Sequence, residues 1–126
     1  LETWLGREDY LIRVEDEATV RSLQPDFSRL KAVSHVRGFI VTAPGSDCDF
    51  VSRCFYPAYG IDEDPVTGSA HTTLTPYWAE RLGKTTLEAR QISRRGGKLT
   101  CILHGERTEL QGSGVLYARG TVFAGA

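Results

Sequence analysis

The residues best suited to chemistry in this sequence lie between Gly60 and His71, where the chain reads Gly-Ile-Asp-Glu-Asp-Pro-Val-Thr-Gly-Ser-Ala-His. Three consecutive carboxylates, Asp62, Glu63 and Asp64, precede Pro65. A proline fixes its own φ and pushes the residue before it into an extended conformation, so Asp64 is held in place. Proton transfer needs a group at a fixed distance, which makes Asp64 the candidate acid/base or substrate-orienting residue. Thr67-Gly68-Ser69 then opens an apolar helical pattern. Gly68 lets the backbone come close to a ligand. The first N–H groups of a helix lack intrahelical acceptors, so Gly68 and Ser69 are candidates to bind an anionic group. A carboxylate beside an anion cradle needs no metal and suits a small substrate that itself carries a carboxylate. The same residues also read as a solvated acidic turn followed by an ordinary N-cap and turn glycine.

Other chemistries fit less well. Ser69, His71 and Asp64 invite a hydrolase reading, but side chains two apart at a helix start diverge and no Gly-x-Ser-x-Gly elbow is present. Thr67-Gly68-Ser69 is not a phosphate loop, because no Lys follows the glycine. The three His and three Cys lack ligand spacing, so no metal site is expected. Arg90, Arg94, Arg95 and Lys98 form a basic cluster beside Gly96-Gly97, but no row of aromatics accompanies it, so no nucleic-acid partner is expected. Cys48, Cys54 and Cys101 read as buried or indifferent thiols, with a Cys48–Cys101 bridge left open.

The elements that must position the loop can be read from periodicity. Strands are expected at Tyr10–Val14, Gly38–Thr42 and Asp49–Phe55. The last of these puts Phe50, Ser52 and Cys54 on one face and Val51, Arg53 and Phe55 on the other, with Arg53 a possible functional residue. Asp16 caps a helix containing Ala18, Val20 and Leu23. Pro25 interrupts it, and Phe27, Leu30 and Val33 continue as a further turn or two. The clearest helix runs from Ser69 to Leu82, with Ala70, Leu74, Tyr77, Trp78 and Leu82 on one face and Gly83 as its stop. Pro76 inside it removes a hydrogen bond and predicts a kink. Beyond it, Leu87–Ile92, Lys98–His104, Arg107–Leu110 and Val115–Phe123 read as strands joined at hairpin distances and therefore antiparallel. The fold class is α+β: a mixed, largely antiparallel sheet curled as a barrel around one central helix.

At 126 residues the chain, 1–126, fits one domain. Fifteen basic against sixteen acidic residues leave a net charge of −1, which offers no bulk attraction to nucleic acid or anionic lipid. No apolar run approaches the ~20 residues of a membrane span, and no signal peptide is evident, so no membrane partner and a cytoplasmic location are expected. Methionine is absent, so Leu1 reads as something other than a natural start and the chain as a fragment.

Arg53-x-Phe55, Pro57, Gly60, the run from Glu63 to His71, Tyr77-Trp78, Leu82-Gly83-Lys84, Gln91-x-Ser93-x-Arg95-Gly96-Gly97 and Gly112 together resemble the phenazine-biosynthesis PhzF-like isomerase family. The likeness extends over most of this chain but covers only the second half of a typical member. It implies a diaminopimelate-epimerase-like fold, in which two similar domains each wrap a sheet around a helix and share a site in the cleft between them. In related epimerases the position like Asp64 is an acid/base cysteine. Here the cysteines lie elsewhere, so the resemblance implies proton transfer by carboxylate chemistry, with no cofactor. It assigns Asp64 to orienting substrate or aiding that transfer, and Gly68 and Ser69 to binding substrate through its carboxylate. The family's principal catalytic Glu and a further His belong to the first domain. The implied partners are a small carboxylate metabolite and either that missing domain or a second copy of the chain. The alternative is a non-catalytic small-anion-binding or interaction module that retains the fold.

Overall fold

The computed structural model describes residues 1–125. In chain order the elements are β1 (Glu2–Leu5), β2 (Asp9–Arg13), α1 (Glu17–Ser22), α2 (Phe27–Lys31), β3 (Gly38–Pro44), β4 (Phe50–Tyr56), a 3-10 turn (Pro57–Tyr59), β5 (Ile61–Asp64), α3 (Gly68–Leu82), β6 (Thr86–Gln91), β7 (Gly97–His104) and β8 (Arg107–Gln111). The strands form one mixed sheet in the order β1-β2-β3-β4-β6-β7-β8, with β5 also paired to β4. Strands joined by short turns are antiparallel, as expected, including β6–β7 and β7–β8. The two parallel pairs, β2–β3 and β4–β6, are those whose connections contain helices, because a parallel return must cross the sheet.

β3 and β4 are buried along nearly their whole length because both their faces are covered. On one face lies α3, which buries Ala70, His71, Leu74, Thr75, Trp78 and Ala79. Trp78 stacks on Phe50 at 5.8 Å and donates its indole N–H to Thr42 Oγ1 at 3.0 Å. On the other face Val51 and Phe55 join Val20, Phe39 and Val41 in a second cluster, against which Leu23, Phe27 and Leu30 pack. The two faces read from the alternation of β4 are therefore the two faces observed. Asp16 caps α1 by accepting from the Thr19 N–H at 2.8 Å.

Three expectations need correction. The sheet is not closed into a barrel, since β1 pairs with β2 and β8 with β7, and the two edges do not pair with each other. Trp4 on β1 packs edge-on against Tyr77 at 5.0 Å, while at the other margin Leu110 on β8 approaches Gly68. Gly68 and Tyr77 are nine residues apart, two and a half turns, and so lie on opposite flanks of α3. A helix is roughly two strand spacings wide, and sheet margins packed on its opposite flanks are held apart. Val115–Phe123 is not a strand; residues 112–125 carry no sheet pairing, and Val115, Leu116, Tyr117, Val122 and Phe123 are exposed. α3 continues through Pro76, as the periodicity predicts. Pro76 and Thr72, whose carbonyl loses its i+4 donor, are both exposed, so the break in the ladder faces solvent and not the core. Leu82, placed on the buried face from sequence, is exposed. The cysteines are free thiols, with Cys54 and Cys101 buried. No helix among the described residues is long and apolar enough to cross a membrane.

Candidate functional site

The strand geometry of β5 splits the acidic triplet, because successive side chains on a strand point to opposite faces. Asp62 is exposed. Glu63 takes a two-pronged ion pair from Arg53, with Nε to Oε1 at 2.7 Å and Nη2 to Oε2 at 2.9 Å. Arg53 Nη1 also donates to the carbonyls of Val20 and Leu23 at the end of α1, at 3.2 and 2.9 Å. Arg53 is thus a structural cation, and it ties β5 to the helix layer behind the sheet. Asp64 pairs with Cys54 across the β4–β5 ladder and faces the start of α3. Burial beside these groups pushes the Cys54 thiol up to about 12, so it stays protonated.

The loop after Asp64 is held by side chains from the end of β6. Thr67 donates its hydroxyl to Asp64 Oδ2 at 2.5 Å. The hydroxyl is thereby diverted from capping, and α3 begins without a side-chain cap on its N–H groups. Gln91, 1 % exposed, accepts the Thr67 N–H at 2.8 Å and donates to the Asp64 carbonyl at 2.6 Å and to Thr67 Oγ1 at 3.1 Å. Ser93 donates to the Pro65 carbonyl at 2.7 Å and accepts the Gly96 N–H at 3.0 Å. Gly97 carries no side chain because Val66 occupies the space; a Cβ there would lie 2.3 Å from Val66 Cγ2. The run Gln91-x-Ser93-x-x-Gly96-Gly97 is therefore the brace of the Asp64 loop.

Asp64 and Ser69 face one open depression of about 240 Å³ at the start of α3, together with Arg37, Tyr56 and Thr67. Tyr59 and Ile61, both largely exposed, form its outer lip. Gly68 is adjacent and exposed but does not line it. Gly68 is also free of any internal demand for glycine: its φ is ordinary, and an added Cβ would meet only Leu110 Cδ1, at 3.9 Å. His71 is not brought to Ser69. It is fully buried beneath the loop, where Nδ1 donates to the Thr67 carbonyl at 2.7 Å. Burial lowers the His71 pKa, which favours the neutral ring. His35 and His104 lie elsewhere, against Tyr10 and Glu109. A Ser-His-Asp relay is thus not assembled.

Three residues at or under the site were missed from sequence. Arg37 precedes β3 in an unpatterned stretch and reaches the depression only through tertiary packing. It pairs with Asp9, contacts Glu8 at 3.3 Å and donates to Ser69 Oγ at 3.2 Å. Tyr56 is 6 % exposed, lies beyond a bulge in the β4–β5 ladder, and its hydroxyl has no hydrogen-bond partner among the described residues. Burial raises its pKa, so the phenol remains protonated. Gln91 could have been found: an amide at a buried position of the alternating Leu87, Ala89, Gln91 face needs partners.

A mixed α+β domain with one long helix packed on one face of its sheet, and an Asp-Pro-Val-Thr-Gly-Ser loop at the start of that helix, defines the class of the phenazine biosynthesis-like proteins. That family matches residues 3–120, and the chain belongs to it. It is 53 % identical over 118 residues to an uncharacterized isomerase of Pseudomonas aeruginosa, covering 94 % of this chain and 45 % of that protein. To the phenazine biosynthesis-like domain-containing protein 2 of Mus musculus it is 41 % identical over 130 residues, covering 93 % and 45 %. The crystal structure of a phenazine biosynthesis protein of the PhzF family from Enterococcus faecalis superposes with a TM-score of 0.87 at 50 % identity, covering 92 % of this chain and 44 % of that one. A PhzC/PhzF protein from Clostridium difficile gives the same TM-score at 39 % identity. The chain therefore spans less than half the length of these relatives.

Proposed function

We propose that this chain is the C-terminal wall of a PhzF-like isomerase site, built on a diaminopimelate-epimerase-like domain, which moves a proton on a small carboxylate-bearing metabolite without a cofactor. The observation that carries this reading is the placement of Asp64 and Ser69 on one depression at the uncapped start of α3. In this reading Ser69 and the backbone at Gly68 take the substrate carboxylate, with the helix N-terminus favouring its charge. Asp64, fixed by Thr67 and the Gln91 brace, orients the reacting part or aids proton transfer. The absence of a side chain at Gly68, for which the fold itself has no need, leaves room for the ligand. The other wall comes from a first domain carrying the family's Glu, or from a second copy of this chain. Membership of the family, and the isomerase description of the P. aeruginosa relative, support this assignment.

A second reading, a small-anion-binding module without chemistry, is favoured by the fact that Asp64 is the one carboxylate lining the depression among the described residues. Isotope exchange separates the two. Candidate carboxylates are incubated in deuterated water with the chain and with Asp64→Asn, alone and with a complementing first domain. Uptake that disappears in Asp64→Asn supports the isomerase reading, and uptake unchanged in that variant removes Asp64 from the mechanism. Solution mass distinguishes a second copy from a separate domain as the other wall.

A further inference from the structure

We infer that Arg37 is a positioning residue that sets the Ser69 hydroxyl as a hydrogen-bond donor and so makes the depression selective for an anion over a neutral group of the same shape. The inference rests on the carboxylate-binding reading above.

A serine hydroxyl has one proton to donate and lone pairs to accept with, and it rotates to suit its neighbours. Ser69 Oγ accepts from Arg37 Nη2 at 3.2 Å. An arginine never accepts, so this contact fixes the hydroxyl in the accepting sense on that side. The Ser69 proton has no protein acceptor among the described residues, and the exposed side chain lines the depression. It is left to donate to whatever enters, and a carboxylate oxygen accepts that bond in its stronger, charge-assisted form.

Arg37 is itself held on several sides. Nε donates to Asp9 Oδ1 at 3.0 Å, Nη2 contacts Asp9 Oδ2, and Nη1 reaches Glu8 Oε2 at 3.3 Å. The guanidinium lies 5.4 Å from the centre of the Tyr56 ring. That ring has space only because residue 38 is glycine: a Cβ there would sit 2.1 Å from Tyr56 Cδ1. A planar cation clamped in this way keeps its geometry when the ligand arrives, which lysine could not reproduce. Tyr56 lines the same depression with its ring beside the guanidinium, and its hydroxyl is itself buried. Asp9 and Glu8 neutralise part of the Arg37 charge. Arg37 therefore acts chiefly through Ser69, by orientation.

The test uses the ¹⁵N-labelled full chain, with butyrate and butyramide as probes of equal shape and different charge, and reads the amide shifts of Gly68 and Ser69. The wild type is expected to bind butyrate about tenfold or more tightly than butyramide, since charge-assisted hydrogen bonds exceed neutral ones. Arg37→Met and Ser69→Ala should each remove most of that preference, weakening butyrate far more than butyramide. The double variant should lose no more than either single one, as coupled residues do. Should Arg37→Met fail to fold, Arg37→Lys keeps a charge but cannot serve Asp9 and Ser69 together, and a several-fold drop in the preference is expected. A preference left intact in Arg37→Met or Arg37→Lys overturns the inference and leaves the carboxylate site standing. Equal losses for both probes would mark a merely structural brace and also overturn it. No shift at Gly68 or Ser69 with butyrate in the wild type overturns both the inference and the reading it rests on.

Discussion

Gly97, Gly68 and Gln91 play roles around the loop that substitution should separate. Gly97 is required by packing, since an added methyl collides with Val66. Gly97→Ala should destabilise the chain by about 1–3 kcal/mol, the usual range for overpacking. Pairing it with Val66→Ala should recover most of the loss in a urea titration; no recovery would show that Val66 is not the obstacle. Gly68 is the opposite case. Gly68→Ala should leave stability unchanged or raise it by about 0.5 kcal/mol, because alanine suits a helix better and nothing obstructs it. The same change should weaken carboxylate binding if the ligand approaches that backbone, and unimpaired binding would take Gly68 out of the site. Gln91→Leu leaves the Thr67 N–H and the Asp64 loop without their buried partner. It should cost about 3 kcal/mol, within the range for orphaning buried polar groups.

Acid should act on the residue scale in two separable stages. His71 is held below its usual value of 6.5, so the unfolded chain takes up a proton that the folded ring resists. Stability should therefore fall as pH drops below about 6.5, and stop falling on this account once the folded ring protonates. Glu17 is lowered from 4.5 to about 2, first by the Ser46 N–H, then by Arg21 and the Ser46 hydroxyl. Its contribution is present above 4.5 and lost as pH falls towards about 2. Denaturant midpoints against pH should show the upper stage shrinking in His71→Gln and the lower one in Glu17→Gln. A profile unchanged by either substitution would assign acid sensitivity to other groups.

Among the elements, α3 and six of the eight strands were legible because their signals are local. Helical period and a Gly83 stop placed the helix at Ser69–Leu82, one residue short of its observed start. Alternation placed β4 and divided its faces correctly. β1 and β5 were missed because each is only four residues long, and the acidic run in β5 masks its alternation. Val115–Phe123 has strand composition and no strand partner within the described residues, and composition without a ladder does not make a strand. The residues of the site divide in the same way. Asp64 and Ser69 were found from a contiguous run, whereas Arg37 stands 32 residues from its contact Ser69 and became visible only in three dimensions. Pro76 offers an element-scale test. Pro76→Ala restores the N–H that Thr72 lacks, on an exposed face, and should raise the thermal midpoint. A fall would mean that the proline fits the helix better than the general rule allows.

At the scale of the whole molecule, the sheet packs its two margins on α3 and leaves β1 and β8 unpaired with each other. The barrel expected from sequence failed because closure depends on where both edges end up, which no local pattern encodes. The segment after Gln111 adds five exposed large apolar side chains and no sheet pairing among the described residues. Truncation after Gly114 should leave the urea midpoint essentially unchanged and reduce self-association measured by sedimentation. A large loss of stability on truncation would show that the segment contributes packing after all.

The Gln91 brace has a consequence for how the site behaves in time. Loop amides are ordinarily among the first to exchange with solvent deuterium, because brief local opening exposes them. The Thr67 N–H is bound to a side chain that is itself buried on a central strand face. Its exchange should follow the opening of the β4–β6 core, not the fraying of a surface turn. The loop that presents Asp64 would then stand ready before any ligand arrives.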